Sequence, residues 1–137
     1  MLLFVYGTLL PRFGHPLGLD LEKQAERRGR AEVSGKLFDQ GEYPVAVPSE
    51  VPGERIFGEL FDLSAEHRLW RSLDEYEDFK PHDVADSLFE RCQAIAWDRN
   101  GRRVDTQVYW YRAAVDRFAP IAGGDYLAFL EASSAQN

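Results

Sequence analysis

Met1-Leu-Leu-Phe-Val-Tyr-Gly-Thr-Leu9 is the stretch on which the reading of this chain turns. Met1 to Tyr6 run without a charged or small polar residue. That run is far short of the roughly 20 residues needed to cross a bilayer, and it suits a strand buried on both faces. Gly7 ends it. Because Met1 leads straight into this strand, with no basic stretch and small-residue cleavage site before it, no secretory signal is expected.

Beyond a Gly- and Pro-rich loop over residues 11–18, Leu19 to Arg28 carries helix formers, and Gly29 is expected to stop that helix. Glu32 to Phe38 and Arg55 to Leu63 alternate apolar and polar residues and predict strands. Three prolines between Gly41 and Pro52 confine any strand at Val45 to Val47 to a short segment or a sheet edge. Ser64 suits an N-cap, and a helix is expected from Ala65 to about Asp78, with Pro81 preventing its continuation. Leu88 to Asp98 and Val104 to Arg112 read as strands joined at Asp98-Arg-Asn-Gly101, where Asn-Gly is a strong hairpin signal. Gly124 to Ser133 predicts a short last helix. Residues 1–131 are read as a single domain, with 132–137 a frayed tail. Strands outnumber helices and are not separated by regular helical crossovers. The class is therefore α+β: a mixed, mostly antiparallel sheet, open or curled into a barrel, with helices to one side.

The chain has 137 residues, enough for one core without staples. Its 23 acidic residues outnumber 16 basic ones for a formal charge of −7, which disfavours general nucleic-acid binding. Arg12, Arg27, Arg28 and Arg30 make a local basic cluster, read as a solvated helix end. Cys92 is the only cysteine, so no internal disulfide can form. A reducing compartment, the cytoplasm, is expected, and an inert buried thiol is the expected role of Cys92. His15, His67 and His82 lack metal-ligand spacing, so neither a metal nor another cofactor is expected.

The helix at Ala65 to Asp78 holds the most informative pattern. At about 100° per residue, Leu69, Trp70, Leu73 and Tyr76 share one apolar stripe. Glu77 falls within it, four residues after Leu73. A carboxyl there is raised in pKa by desolvation and by the negative end of the helix dipole, and can act as acid and base near neutral pH. The spacing is equally that of a Glu that snorkels to water or pairs with an Arg. Spacing alone makes Glu77 a candidate.

Four segments, in order, resemble the γ-glutamylcyclotransferase-like superfamily, which includes the AIG2-like proteins. Val5-Tyr-Gly-Thr-Leu9 is similar to its Tyr-Gly-(Ser/Thr)-(Asn/Leu) signature. Val33-Ser-Gly-Lys-Leu37 with Tyr43-Pro44 resembles its G-x-L … Y-P stretch, and Ile56-Phe-Gly-Glu-Leu60 its V-x-G-E-L strand. Leu73-Asp-Glu-Tyr-Glu77 resembles L-D-x-x-E-G, whose Glu is the family's catalytic residue. Asp78 stands where that motif has Gly, and Phe89-Glu-Arg91 replaces the family's Y-x-R. The resemblance implies a small barrel with flanking helices. It also implies a metal-independent enzyme that cyclises a γ-glutamyl amine or γ-glutamyl amino acid to 5-oxoproline and free amine, with Glu77 as general acid/base. The Tyr-Gly-Thr-Leu form is similar to the γ-glutamylamine cyclotransferase branch. The substrate would meet the turn at Tyr6, Gly7, Thr8 and Leu9, with Tyr109 or Tyr111 closing the pocket. The alternative is a small-molecule or partner-binding domain that keeps the pocket without catalysis.

Overall fold

Leu2–Val5 forms the first strand, β1, and the computed structural model, which describes residues 1–135, buries Leu3, Phe4 and Val5 on both faces of the sheet. Five further strands build the sheet around it: β2 (Glu26–Asp39), β3 (Pro44–Pro48), β4 (Arg55–Asp62), β5 (Phe89–Asp98) and β6 (Arg103–Tyr111). A two-residue strand β7 (Ala119–Pro120) adds to the end of β2. The order is β3-β2-β4-β1-β6-β5, and β5 pairs back onto β2 at Ala31 to Val33. That last pairing closes β2, β4, β1, β6 and β5 into a five-stranded barrel. All its pairings are antiparallel except β1 with β6, which meet in parallel at Leu3 and Gln107. The expected α+β class and mostly antiparallel barrel hold, and the Asn100-Gly101 hairpin lies between β5 and β6.

Alternation along β1 and β6 divides the core in two. Phe4, Val33, Ile56, Leu60, Ala96 and Val108 fill one face, within the closed sheet. Leu3, Val5, Phe61 and Tyr109 face the other way, against the helices α1 (Pro16–Gln24) and α2 (Leu69–Tyr76). Helix α3 (Tyr126–Ala135) sets Tyr126, Phe129 and Leu130 against the inner cluster. The glycine of the Ile56 to Leu60 motif has a packing reason: a Cβ on Gly58 would lie 2.2 Å from the Val5 carbonyl oxygen. Only a bare backbone lets β4 lie so close to β1.

Several boundaries differ from the sequence reading. The first helix ends at Gln24, and Arg27, Arg28 and Arg30 belong to β2, so the basic cluster is not a helix end. Pairing with β4 overrides the helix propensity of this segment, and Gly29, at φ 97, sits where the register slips between Arg27 and Gly29. The arginines are paired across the sheet, Arg27 with Glu59 and Arg28 with Asp62, and Arg30 lies 3.7 Å from Asp125. The second helix starts at Leu69 rather than Ala65. Ser64 does not cap it through its side chain; its carbonyl oxygen instead accepts from His67 N and from Trp70 Nε1. The last helix runs through Ala135, past the expected fraying at Ala132, and residues 136–137 lie outside the described residues.

The end of α2 decides where Glu77 points. Glu77 is its C-cap, Asp78 follows at φ 51, Phe79 N donates to Asp74 O at 2.8 Å, and Asp78 N donates to Glu75 O at 3.2 Å. This is the paired hydrogen-bond pattern of a Schellman motif, which calls for a left-handed residue just past the cap. Asp holds that conformation under mild strain, so Asp78→Gly should raise stability by about 0.5–1 kcal/mol. For a chain of this size that is about 2–4 °C in a thermal melt. The exposed Asp78–Lys80 contact at 3.6 Å that is lost contributes little. An unchanged or lower melting temperature would show that the Asp is not strained.

Candidate active site

The turn that leaves β1, the end of α2 and one face of β6 surround a cavity of about 210 Å³. Glu77 lines it, together with Tyr6, Gly7, Thr8 and Leu9. Glu77 is half-buried, and its N–H donates to Leu73 O at 3.0 Å, which keeps its backbone in register with the helix. Burial pushes its carboxyl up to about 8, and no charged neighbour or hydrogen bond offsets that rise. Glu77 is the only Asp, Glu, Lys, Arg or His among the lining residues. It can therefore exchange a proton near neutral pH with whatever enters.

The turn residues divide their roles. Leu10 N donates to Gly7 O at 2.9 Å, closing the turn, while the N–H groups of Thr8 and Leu9 meet no protein acceptor among the described residues. Two free amides beside a cavity suit an anionic oxygen. Gly7 is required by a neighbour, since a Cβ there would sit 2.7 Å from Pro44 Cγ. The side chain of Leu9 packs into the core under the helices, so it can offer the site only its backbone. Thr8 Oγ1 lies 3.4 Å from the Tyr76 hydroxyl across the cavity. Tyr6 is committed: its hydroxyl donates to Tyr109 O at 2.8 Å, and burial first, then Glu77, raises its pKa well above the usual phenol range.

Of the two tyrosines expected on the last long strand, Tyr109 lines the cavity and Tyr111 does not. Tyr111 lies at the end of β6 and packs edge-on against Phe89 at 5.2 Å and near Phe118 at 6.0 Å. Of the two alternatives, Tyr109 is the one that faces the cavity. Tyr76, read as part of the buried stripe, is 42% exposed and lines the cavity instead. Its ring meets His15 at 4.6 Å. The end of the helix has turned this residue outward while Leu69, Trp70 and Leu73 remain buried.

Sequence reasoning gave no role to Asp74 and named Arg91 only as the end of Phe89-Glu-Arg91. Asp74 is buried on α2 and holds the Arg91 guanidinium of β5 and the Tyr109 hydroxyl of β6. Asp74 was visible only as the second letter of the Leu73-Asp-Glu-Tyr-Glu77 string. Two of the three histidines are turn acceptors: His15 Nδ1 accepts from Leu17 N and His67 Nδ1 from Leu69 N. Among the described residues no group of three or more His, Cys, Asp or Glu is placed to hold a metal, and no helix is long and apolar enough to cross a membrane. Cys92 is half-buried, and burial, then Glu90, raises its thiol pKa, the opposite of a nucleophile's tuning.

Residues 3–128 match the family described as gamma-glutamyl cyclotransferase, AIG2-like. This chain belongs to that family. A Halalkalibacterium halodurans protein named putative gamma-glutamylcyclotransferase BH1612 is 40% identical over 63 residues, covering 45% of this chain and 53% of that protein. The match thus spans about half the length of that relative. The solved structure of YkqA from Bacillus subtilis superposes with a TM-score of 0.71 at 24% identity, over 99% of this chain and 43% of that one, and shares the fold. An AIG2-like protein from Mus musculus is similar over 85% of this chain and 80% of its own, at 28% identity and a TM-score of 0.63.

The burial of Glu77 has a measurable cost. Between the ordinary value of 4.5 and about 8 the folded chain holds a proton at Glu77 that the unfolded chain releases. Stability must then fall as pH rises across that window, because the folded state binds more protons. Glu77→Gln removes the dependence, so its melting temperature relative to the parent should be higher at pH 8.5 than at pH 5. Equal differences at both values would place the carboxyl in water.

Proposed function

We propose that this chain is a cyclotransferase that converts a γ-glutamyl amine or γ-glutamyl amino acid to 5-oxoproline and a free amine, with Glu77 as the acid/base. The observation that carries this reading is a lone carboxyl, raised by burial to about 8, facing a cavity beside two unoccupied backbone N–H groups. The reaction is an internal displacement. The α-nitrogen of the substrate attacks its own γ-carbonyl carbon, a C–N bond closes the five-membered ring, and the original amide C–N bond breaks. No protein nucleophile or metal is needed. Glu77 takes one proton from the α-ammonium so that the amine can attack and passes it to the departing nitrogen, and the second proton, shed by the ring nitrogen as the new bond forms, goes to the released amine, which leaves as an ammonium. An incoming ammonium beside Glu77 also favours the ionised carboxylate that the first step requires.

The carbonyl oxygen gains charge as the ring closes, and preorganised donors stabilise that charge. The Thr8 and Leu9 amides supply them, and Tyr6 and Tyr109, tied to each other, keep the wall opposite from moving. The lining holds no Arg, Lys or His to receive a second carboxylate on the leaving group. That supports γ-glutamyl amines over γ-glutamyl amino acids, in line with the Tyr6-Gly-Thr-Leu9 form of the turn. An unpaired Cys92 and an acidic charge balance accord with a reducing cytoplasm.

Release of 5-oxoproline from a panel of γ-glutamyl amines tests the reading. Glu77→Gln should retain the fold and lose about 10²–10⁴-fold in kcat/KM. For the parent, kcat/KM should fall as pH drops through about 8, since a protonated Glu77 cannot accept the ammonium proton. Turnover by the Gln variant close to the parent's would remove Glu77 from the mechanism. Tight binding of γ-glutamyl compounds with no 5-oxoproline from any of them would make the chain a binding domain.

A further inference from the structure

Asp74 is buried at 8% exposure in a helix that otherwise buries Leu69, Trp70 and Leu73, and a charge in such a place must be paired and hydrogen-bonded. Arg91 supplies a two-pronged partner from β5, Nε to Oδ1 at 2.9 Å and Nη2 to Oδ2 at 3.2 Å. The third bond on the carboxylate comes from the Tyr109 hydroxyl at 2.6 Å. Arg91 is held in turn: Nη1 donates to Gln107 Oε1 at 3.2 Å, and the guanidinium lies 4.8 Å from the Trp70 ring centre. One carboxylate therefore ties α2 to β5 and β6, and the residue it holds on β6 is a wall of the cavity.

Asp74 stands three residues before Glu77, a spacing that places two side chains as neighbours on one helical face, with Cβ atoms about 5–6 Å apart. An unpaired charge at Asp74 would act on Glu77 at that range. Around Glu77 the other groups are largely neutral phenols and a hydroxyl: Tyr6 at the end of β1, Tyr43 before β3, Tyr76 beside it, Tyr109 on β6 and Thr8 from the turn. His15 lies behind Tyr76, and Glu75 and Asp78 on its own element are exposed to solvent. Asp74, three residues back on the same helix, is the buried charge on that element, and Arg91 is its partner.

Resting on the cyclotransferase reading for its purpose, we propose that Asp74 and Arg91 are a positioning pair: they fix Tyr109 against the cavity, lock the end of α2, and cancel each other's charge at Glu77. Neither residue touches substrate. Each acts through Tyr109 or through the field at Glu77.

The pair's two charges can be removed separately, and the expected effects have opposite signs. The readout is the midpoint of the Glu77 carboxyl titration followed by isotope-edited NMR on the free protein, assigned by its loss in Glu77→Gln. Asp74→Asn leaves Arg91 uncompensated and should lower the midpoint by about one pH unit. Arg91→Gln leaves Asp74 uncompensated and should raise it by about one unit. The double variant is neutral again and should return within about 0.3 unit of the parent. A pair that serves stability alone would unfold the protein at lower temperature in each single variant without moving the midpoint in opposite directions. Midpoints that coincide with the parent's, or shift the same way in both singles, overturn the proposal. Should a single variant fail to fold because a buried charge is stranded, the double variant strands none and should fold. Its failure to fold, or a midpoint more than one unit from the parent's, also overturns the pairing. No substrate enters this titration. Absence of 5-oxoproline release would defeat the cyclotransferase reading and leave these midpoints standing, and flat midpoints beside good turnover would do the reverse.

Discussion

Three hydrogen bonds on the carboxylate of Asp74 hold α2 to the barrel, and the rest of the site is arranged around that attachment. A helix of eight residues has little stability of its own, and in water it would not persist. Here its apolar residues pack on β1 and β4, the Asp74 carboxylate pins it to β5 and β6, and the left-handed turn at Asp78 stops it. Each of the three constrains a different freedom: tilt, rotation and length. Glu77, at the last position before the turn, inherits all three constraints without a side-chain hydrogen bond or ion pair among the described residues.

That separation between holding and reacting runs through the site. Tyr6 spends its hydroxyl on the Tyr109 carbonyl and Tyr109 spends its own on Asp74, so they act as walls. Thr8 and Leu9 keep backbone donors unspent because the turn is closed by Leu10 and Gly7 on either side of them. The carboxyl of Glu77 is likewise unspent. Groups already saturated by the protein give shape, and groups left unsatisfied face the cavity. Leaving a polar group unpaired is unfavourable, and the folded barrel has the buried apolar surface to sustain a few such groups in one place.

Much of this was legible in the residues. The unbroken apolar run before Gly7, the alternating Arg55 to Leu63 segment and the Asn100-Gly101 turn placed four of the barrel's five strands, two of them joined by the hairpin. Four short strings in register pointed to the family, and helical spacing put Glu77 on the buried face. What escaped were features set by distant partners. Glu26 to Arg28 were expected to continue the helix by local propensity, yet they extend along β4, a partner more than 30 residues away. Nothing near Asp74 announces that Arg91 will meet it, since the pairing appears only once α2 lies across β5. Tyr76 left its expected place in the buried stripe because it sits at the end of its helix, where periodicity stops reporting direction. The glycine-to-Asp change after Glu77 was visible, and its φ of 51 shows that the backbone demand remained although the residue changed.

The closed barrel also bears on how this chain behaves in a crowd. Five of its strands satisfy their ladders with one another, and the strand at the border of the sheet, β3, begins at Pro44 and finishes at Pro48. Proline has no N–H to offer, so a neighbouring chain that approached this border would find the ladder interrupted at both ends. Pro44 presses on Gly7 with its other side. The same ring that shapes the cavity's rim therefore helps keep one molecule from adding its sheet to the next.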